Sequence, residues 1–250
     1  AWYKLNATSN YAGLNPNFNN ALDFGATDYI DCGDGLGDSL GSYTGVITAS
    51  TWVNPTLMSA GYGVFQIGDT GNGKFTLAFT SNNLYVYTAA SSTATAQING
   101  LSALIGKWNH IAIVWDTQDA TNSKIYINGV ATALSSGSFD TGTAALTGEA
   151  TKLGYWFSTS YTFLGKISNT AFFNQAISAE DVLYLYNGGT PQTSLSFEPL
   201  SWYKLDNLTT GIQDSGSASN NGTNNGATAV SSSVAVDQWN FDNVSQAQTP

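Results

Sequence analysis

The sequence predicts an all-β sandwich with one short helix, on three observations. Short runs of β-branched and aromatic residues alternate with polar ones and are cut by Gly, Asn, Ser and Asp turns. Asn128-Gly129, a dipeptide that tolerates two positive φ angles, stands between two such runs. A single segment, after Ser178, carries a helix start, an apolar face and a stop. At 250 residues and 42% hydrophobic content the chain can bury a sizeable core. All-β domains of this length are common.

Strands are expected, in chain order, over 21–24, 29–32, 46–53, 63–67, 74–79, 84–87, 108–115, 124–127 and 162–173. The firmest local pattern is 111–134. Ile111, Ile113 and Trp115 alternate with Ala112 and Val114, a polar turn covers 116–123, and Ile125-Tyr126-Ile127 runs into Asn128-Gly129. These residues predict three antiparallel strands in a meander. Ser178 with Asp181 three positions on resembles a capping box, and acidic residues suit the first turn of a helix. Val182, Leu183, Leu185 and Tyr186 give the apolar face, and Gly188, Gly189 and Pro191 stop the helix. It is expected to plug one end of the sandwich. Residues 211–233 are rich in Ser, Asn, Gly, Thr and Ala, and read either as a flexible segment or as a hairpin turning at 222–226.

Charge is scarce. There are seven Lys, no Arg, one His and three Glu, and the net charge is −10. No basic stripe is available to neutralise phosphates, so no nucleic-acid partner is expected, and no anionic membrane. No apolar run approaches bilayer length. The chain begins at Ala and reads as a processed or excised product. Cys32 is alone, so no intrachain disulfide forms, and a buried inert thiol is its expected role.

One self-similarity interrupts this pattern. Trp-Tyr-Lys-Leu occurs at 2–5 and again at 202–205, 200 residues on. A fixed-distance repeat points to modular construction.

In order along the chain, ALDFGATDYID (21–31), VITASTWV (46–53), KWNHIAIVWD (107–116), KIYINGV (124–130), FLGKI (163–167) and ISAEDVLYLYNGG (177–189) resemble the strands and closing helix of LamG-like domains. These belong to the concanavalin A-like lectin/glucanase fold. The resemblance implies an antiparallel two-sheet jelly roll over 1–192. WYKLD (202–206) with QDSGSASNNGT (213–223) is similar to that family's opening strand and the turn after it. Residues 193–250 are then expected to be a linker and a partial second repeat that packs on the first domain or on a neighbouring subunit. Trp202, Tyr203, Leu205 and Trp239 are its candidate assembly residues. The texture is similar to structural proteins of marine bacterial viruses, which implies a virion-surface or extracellular setting and self or other surface proteins as partners.

The fold hosts many functions, so the site must be read from residues. The family's glucanases use a Glu-x-Asp-x-x-Glu strand motif. That spacing is lacking here, and Glu149, Glu180 and Glu198 lie far apart. Lyases of this fold rely on Arg, and there is none. His110 is expected to hydrogen-bond structurally. No enzyme is expected. Asp28, Asp31, Asp34 and Asp38 with interleaved Gly suit Ca²⁺, a cation that prefers oxygen ligands. Each is explained equally by turn chemistry. For glycan contact, Trp156 and Tyr161 flank a polar tip at 158–160, and Tyr62, Tyr85 and Tyr87 are candidates for the same face. The expected function is a non-enzymatic structural or adhesive surface module with glycan contact. A calcium-dependent lectin is the alternative reading, and a polysaccharide-degrading enzyme a more distant one.

Overall fold

The computed structural model describes residues 20–231 apart from 59, 69, 70 and 72. The first Trp-Tyr-Lys-Leu copy and Trp239 lie outside the described residues. The chain opens with β1 (Asn20–Phe24), β2 (Tyr29–Asp31), α1 (Gly35–Leu40), β3 (Ser42–Tyr43) and β4 (Val46–Pro55). It continues through β5 (Tyr62–Ile67), β6 (Phe75–Thr80), β7 (Asn83–Thr88), β8 (Ala94–Ile98), β9 (Asn109–Asp116), β10 (Lys124–Ile127) and β11 (Val130–Thr132). Next come β12 (Ser136–Gly137), β13 (Ala144–Ala145), β14 (Thr151–Leu153), β15 (Gly165–Phe173) and α2 (Ala179–Tyr186). The last strands are β16 (Ser201–Tyr203), β17 (Thr223–Asn225) and β18 (Thr228–Ser231).

Two antiparallel sheets of eight strands face each other. The first runs β11-β10-β9-β4-β15-β1-β18, with β16 also on β15; the second runs β12-β8-β7-β6-β5-β14-β2-β17. The predicted meander is present. β9, β10 and β11 pair in register, with Ile127 opposite Val130 across a turn where Asn128 and Gly129 take φ of 52° and 81°. Alternation decides which face is buried. Ile111, Ile113, Trp115 and Phe172 point between the sheets, where they meet Phe65, Phe75, Leu77 and Val86. Trp115 Nε1 donates to the Asp140 carbonyl at 2.8 Å, which satisfies the one polar atom it brings into the core.

The intervening residues Ala112, Val114, Ala171 and Phe173 are also apolar, so the outer face of the first sheet needs cover. Helix α2 supplies it. Val182, Leu185 and Ile177 pack on that face together with Trp202. The helix therefore lies on a sheet and does not plug an end, contrary to the sequence expectation. Its capping box is formed: Asp181 N donates to Ser178 Oγ at 3.1 Å, and Ser178 N to Asp181 Oδ2 at 2.9 Å. None of the described helices is long and apolar enough to cross a membrane.

The C-terminal part is woven into the same two sheets. β16 pairs with β15 and β18 with β1 in the first sheet, while β17 pairs with β2 in the second. The turn at Gly226 (φ 99°) thus joins strands of different sheets and does not close a hairpin.

Candidate functional site

An aromatic platform forms where β14 leaves its sheet. The segment between β14 and β15 passes Gly63 of β5, with Gly63 N donating to the Tyr161 carbonyl at 3.1 Å and Gly154 N to the Val64 carbonyl at 2.7 Å. Tyr161 N donates to the Ser158 carbonyl at 3.0 Å and tightens the tip. Phe157 holds a left-handed φ of 38°, unusual for an aromatic residue, and its N–H is anchored to Gln66 Oε1 at 2.7 Å. Gln66 is itself buried.

The strain places three rings together. Phe157 and Tyr161 lie 4.3 Å apart and are 36% and 37% exposed. Trp156 is buried beneath them, edge-on to Phe157 at 4.9 Å and to Tyr161 at 5.8 Å. Tyr87 lies 5.4 Å from Trp156, and Tyr85 stacks on Tyr87 at 6.1 Å. Burial raises the pKa of the Tyr87 phenol, and the Tyr85 phenol adds to the effect. Trp156 Nε1 is buried and has no hydrogen-bond partner among the described residues. The arrangement offers apolar ring faces beside hydroxyls of Ser158, Ser160 and Tyr161, which suits a ligand with one apolar and one polar face.

Glycines make the room. A Cβ on Gly61 would stand 2.6 Å from the Trp156 ring and 2.8 Å from the Tyr161 ring. A Cβ on Gly63 would run into the backbone of Tyr155 and Trp156, which cannot rotate away. Gly63→Ala is therefore expected to cost roughly 1–3 kcal/mol through overpacking. In a thermal melt that reads as a fall of roughly 2–4 °C per kcal/mol for a chain this size. An unchanged melting temperature would show that this backbone contact is not tight.

Trp156 and Tyr161, both candidates from the sequence, lie together, with Trp156 as the buried support and Tyr161 exposed. Tyr62 does not join their rings. It alternates with Gly61 and Gly63 and packs against the inter-sheet core. Phe157 and Gln66 were not legible as site residues. The signal for Phe157 was its place in a run of aromatics just before a polar tip.

The four carboxylates of 28–38 are separated. Asp28 Oδ2 accepts from Gly25 N at 2.8 Å, Asp31 Oδ1 from Gly33 N at 2.9 Å, and Asp38 Oδ1 from Gly148 N at 2.8 Å. Asp34 stands at the start of α1, a helix that sequence reasoning did not foresee. Among the described residues no three His, Cys, Asp or Glu side chains are grouped to hold a metal ion. The donor set does not fit a shared Ca²⁺, because each carboxylate with a contact turns to a backbone amide of its own.

Cys32 is buried, and burial pushes its thiol pKa up, away from the reactive thiolate. His110 is also buried, with Nε2 2.8 Å from Ser50 Oγ and the Trp52 and Tyr186 rings 5.2 and 6.2 Å away. Burial lowers its pKa to about 3, so it stays neutral and structural. Trp202, Tyr203 and Leu205 are buried within their own chain, at 7%, 0% and 4% exposure.

The model of the concanavalin A-like lectin/glucanases superfamily matches residues 24–183. Among solved structures, a Bacteroides ovatus protein described as a candidate carbohydrate-binding protein superposes with a TM-score of 0.59 at 20% identity. The match covers 85% of this chain and 60% of that one, so this chain spans less than two thirds of its length. A heptameric SAP-like pentraxin from Limulus polyphemus gives 0.47 at 16% identity, over 67% of this chain and 82% of that one. The ligand-binding domain of botulinum neurotoxin serotype D, solved with N-acetylneuraminic acid, gives 0.47 at 16% identity, over 59% and 37%. No curated protein matches the sequence.

Proposed function

The chain belongs to the concanavalin A-like lectin/glucanases superfamily, and on that premise we propose a non-enzymatic binding module that takes a glycan on its aromatic platform. The observation that carries this reading is the exposed Phe157–Tyr161 pair, 4.3 Å apart and propped by a buried Trp156. Sugar rings present C–H faces that stack on aromatic rings, and their hydroxyls match the serines of the tip. The Bacteroides ovatus structure, described as a candidate carbohydrate-binding protein, supports the same direction. The non-enzymatic part rests on Glu149, Glu180 and Glu198, which are too far apart in sequence for the family's carboxylate motif. The setting we propose is a virion or cell surface, supported by the Arg-free surface and its Asn, Ser and Thr texture. Recovery of the chain within ordered particles tests that setting. A soluble monomer that never joins one counts against it.

A glycan array tests the binding, run with calcium and with chelator. The expected result is a hit that Phe157→Ala and Tyr161→Ala each weaken about tenfold, equivalent to about 1.4 kcal/mol. Each ring is about a third exposed and also covers Trp156, so a small fall in melting temperature is expected, with the fold retained. Chelation should leave binding unchanged, because the acidic residues of 28–38 are not gathered. An array with no hits under either condition overturns the reading.

A further inference from the structure

One edge of β15 is shared by two strands. β4 pairs along the other edge from Gly165 to Phe173. On the free edge, Phe24 to Leu22 of β1 pair with Gly165 to Ile167, and Tyr203 to Ser201 of β16 pair with Thr170 to Phe172. Both run antiparallel to β15, so β16 leads into the line of β1. Asn169 N donates to the Lys204 carbonyl at 3.0 Å between them. The result is a slot, beside β1, for a short strand of particular side chains. Trp202 is held on the outer face under α2, with Lys204 Nζ 4.4 Å above its ring, while Tyr203 and Leu205 enter the inter-sheet core.

The sequence carries the tetrapeptide that fills this slot twice. Residues 2–5 repeat Trp-Tyr-Lys-Leu without a change, and they precede β1 by 14 residues. The copy at 202–205 is braced by residues 214–220. Asp214 Oδ1 accepts from Trp202 N at 2.7 Å and Gly216 N at 2.8 Å, and its Oδ2 accepts from Asn220 N at 2.9 Å. Tyr203 Oη donates to the Asn220 carbonyl at 2.8 Å. The first copy continues as Asn6-Ala-Thr, and Leu14 stands at the position that corresponds to Asp214. The tetrapeptide thus occurs twice in the sequence, against one slot for it among the described residues.

We propose that the slot is a strand-acceptor site and that residues 2–5 of one chain are a donor strand for the slot of a second copy, linking copies by strand exchange. Main-chain hydrogen bonds to β15 supply affinity, and the Trp and Tyr pockets on opposite faces supply selectivity. The seated pairing on β15 is three residues long, so the exchange replaces one short strand with another of identical side chains.

The test uses the full-length chain and a synthetic peptide of residues 1–10 carrying a photoreactive group in place of Leu5. Irradiation is expected to crosslink the peptide to 165–173 of the intact chain. Trp202→Ala in the full-length chain should raise the yield at least fivefold, since it loosens the resident strand. A peptide with Trp2→Ala and Tyr3→Ala should give none. The unlabelled chain should also sediment as concentration-dependent oligomers that the same two substitutions, made in the full-length chain, abolish. If Trp202→Ala does not fold, the intact chain alone decides. Crosslinks that map outside the slot, equal yields from the substituted peptide, or no crosslink overturn the proposal.

Discussion

A chain ending at Phe197 is expected to lose cooperative thermal unfolding altogether. The removed segment takes Tyr203, Leu205, Ile212 and Ala227 out of the inter-sheet core and Trp202 from beneath α2. Truncating a buried aromatic to Ala costs about 3–5 kcal/mol, and two are lost here. That alone is comparable with the roughly 5–15 kcal/mol by which a domain is stable. The truncation also strips β18 from β1, β17 from β2 and β16 from β15, which bares backbone groups on edges of both sheets. A strand from residues 2–5 seated in the slot would restore neither β17 nor β18. Circular dichroism melting with near-ultraviolet signals checks this. A truncated chain that melts within a few degrees of the full one would reduce 201–231 to an appendage.

Stability is expected to fall by about 5 kcal/mol between pH 6.5 and 3 through His110 alone. Its pKa is lowered from 6.5 to about 3 by burial, and each pKa unit corresponds to about 1.4 kcal/mol. The sign is set by proton uptake. Above 6.5 both folded and unfolded chains hold the ring neutral and the group has no effect. Below 6.5 the unfolded chain binds a proton that the folded chain refuses, so stability drops until the folded pKa is reached. Asp116 and Asp140 add to the acid loss, because hydrogen bonds hold both below the ordinary carboxylate range despite desolvation. His110→Asn isolates the imidazole. Denaturant titrations from pH 7 to 4 should show a flatter slope for the variant, and parallel slopes would mean that the ring titrates normally.

Where local patterning decides the structure, it could be read. The β9–β10–β11 meander follows from alternation plus Asn128-Gly129, and α2 from Ser178 and Asp181, because both signals sit within a few residues of their effect. The position of α2 could not be read in this way. It depends on Ala112 and Val114, which are apolar on a face that a two-sheet sandwich ordinarily leaves to water. Helix α1 hides in a Gly- and Asp-rich stretch, and Leu36 and Leu40 are the only apolar residues that hold it down. Residues 211–231 looked like low-complexity chain because three- and four-residue strands have no period to detect. Their partners β1 and β2 lie near the other end of the sequence. At the platform, clustering revealed Trp156 and Tyr161. Tyr62 was misplaced for want of one consideration: strand alternation puts it opposite the flanking glycines that make room for the Trp156 ring.

The bond from the Asn220 side chain to the Cys32 carbonyl spans 188 residues. It belongs to a closing segment that joins both sheets to the far end of the chain, and this governs timing. During synthesis the pairings of β18 with β1 and of β17 with β2 wait until residues 223–231 have emerged, so these contacts form late among the described residues. Folding dominated by such distant pairings is slow, on the order of milliseconds to seconds. For that interval the unclosed intermediate carries open edges and is the species most exposed to aggregation.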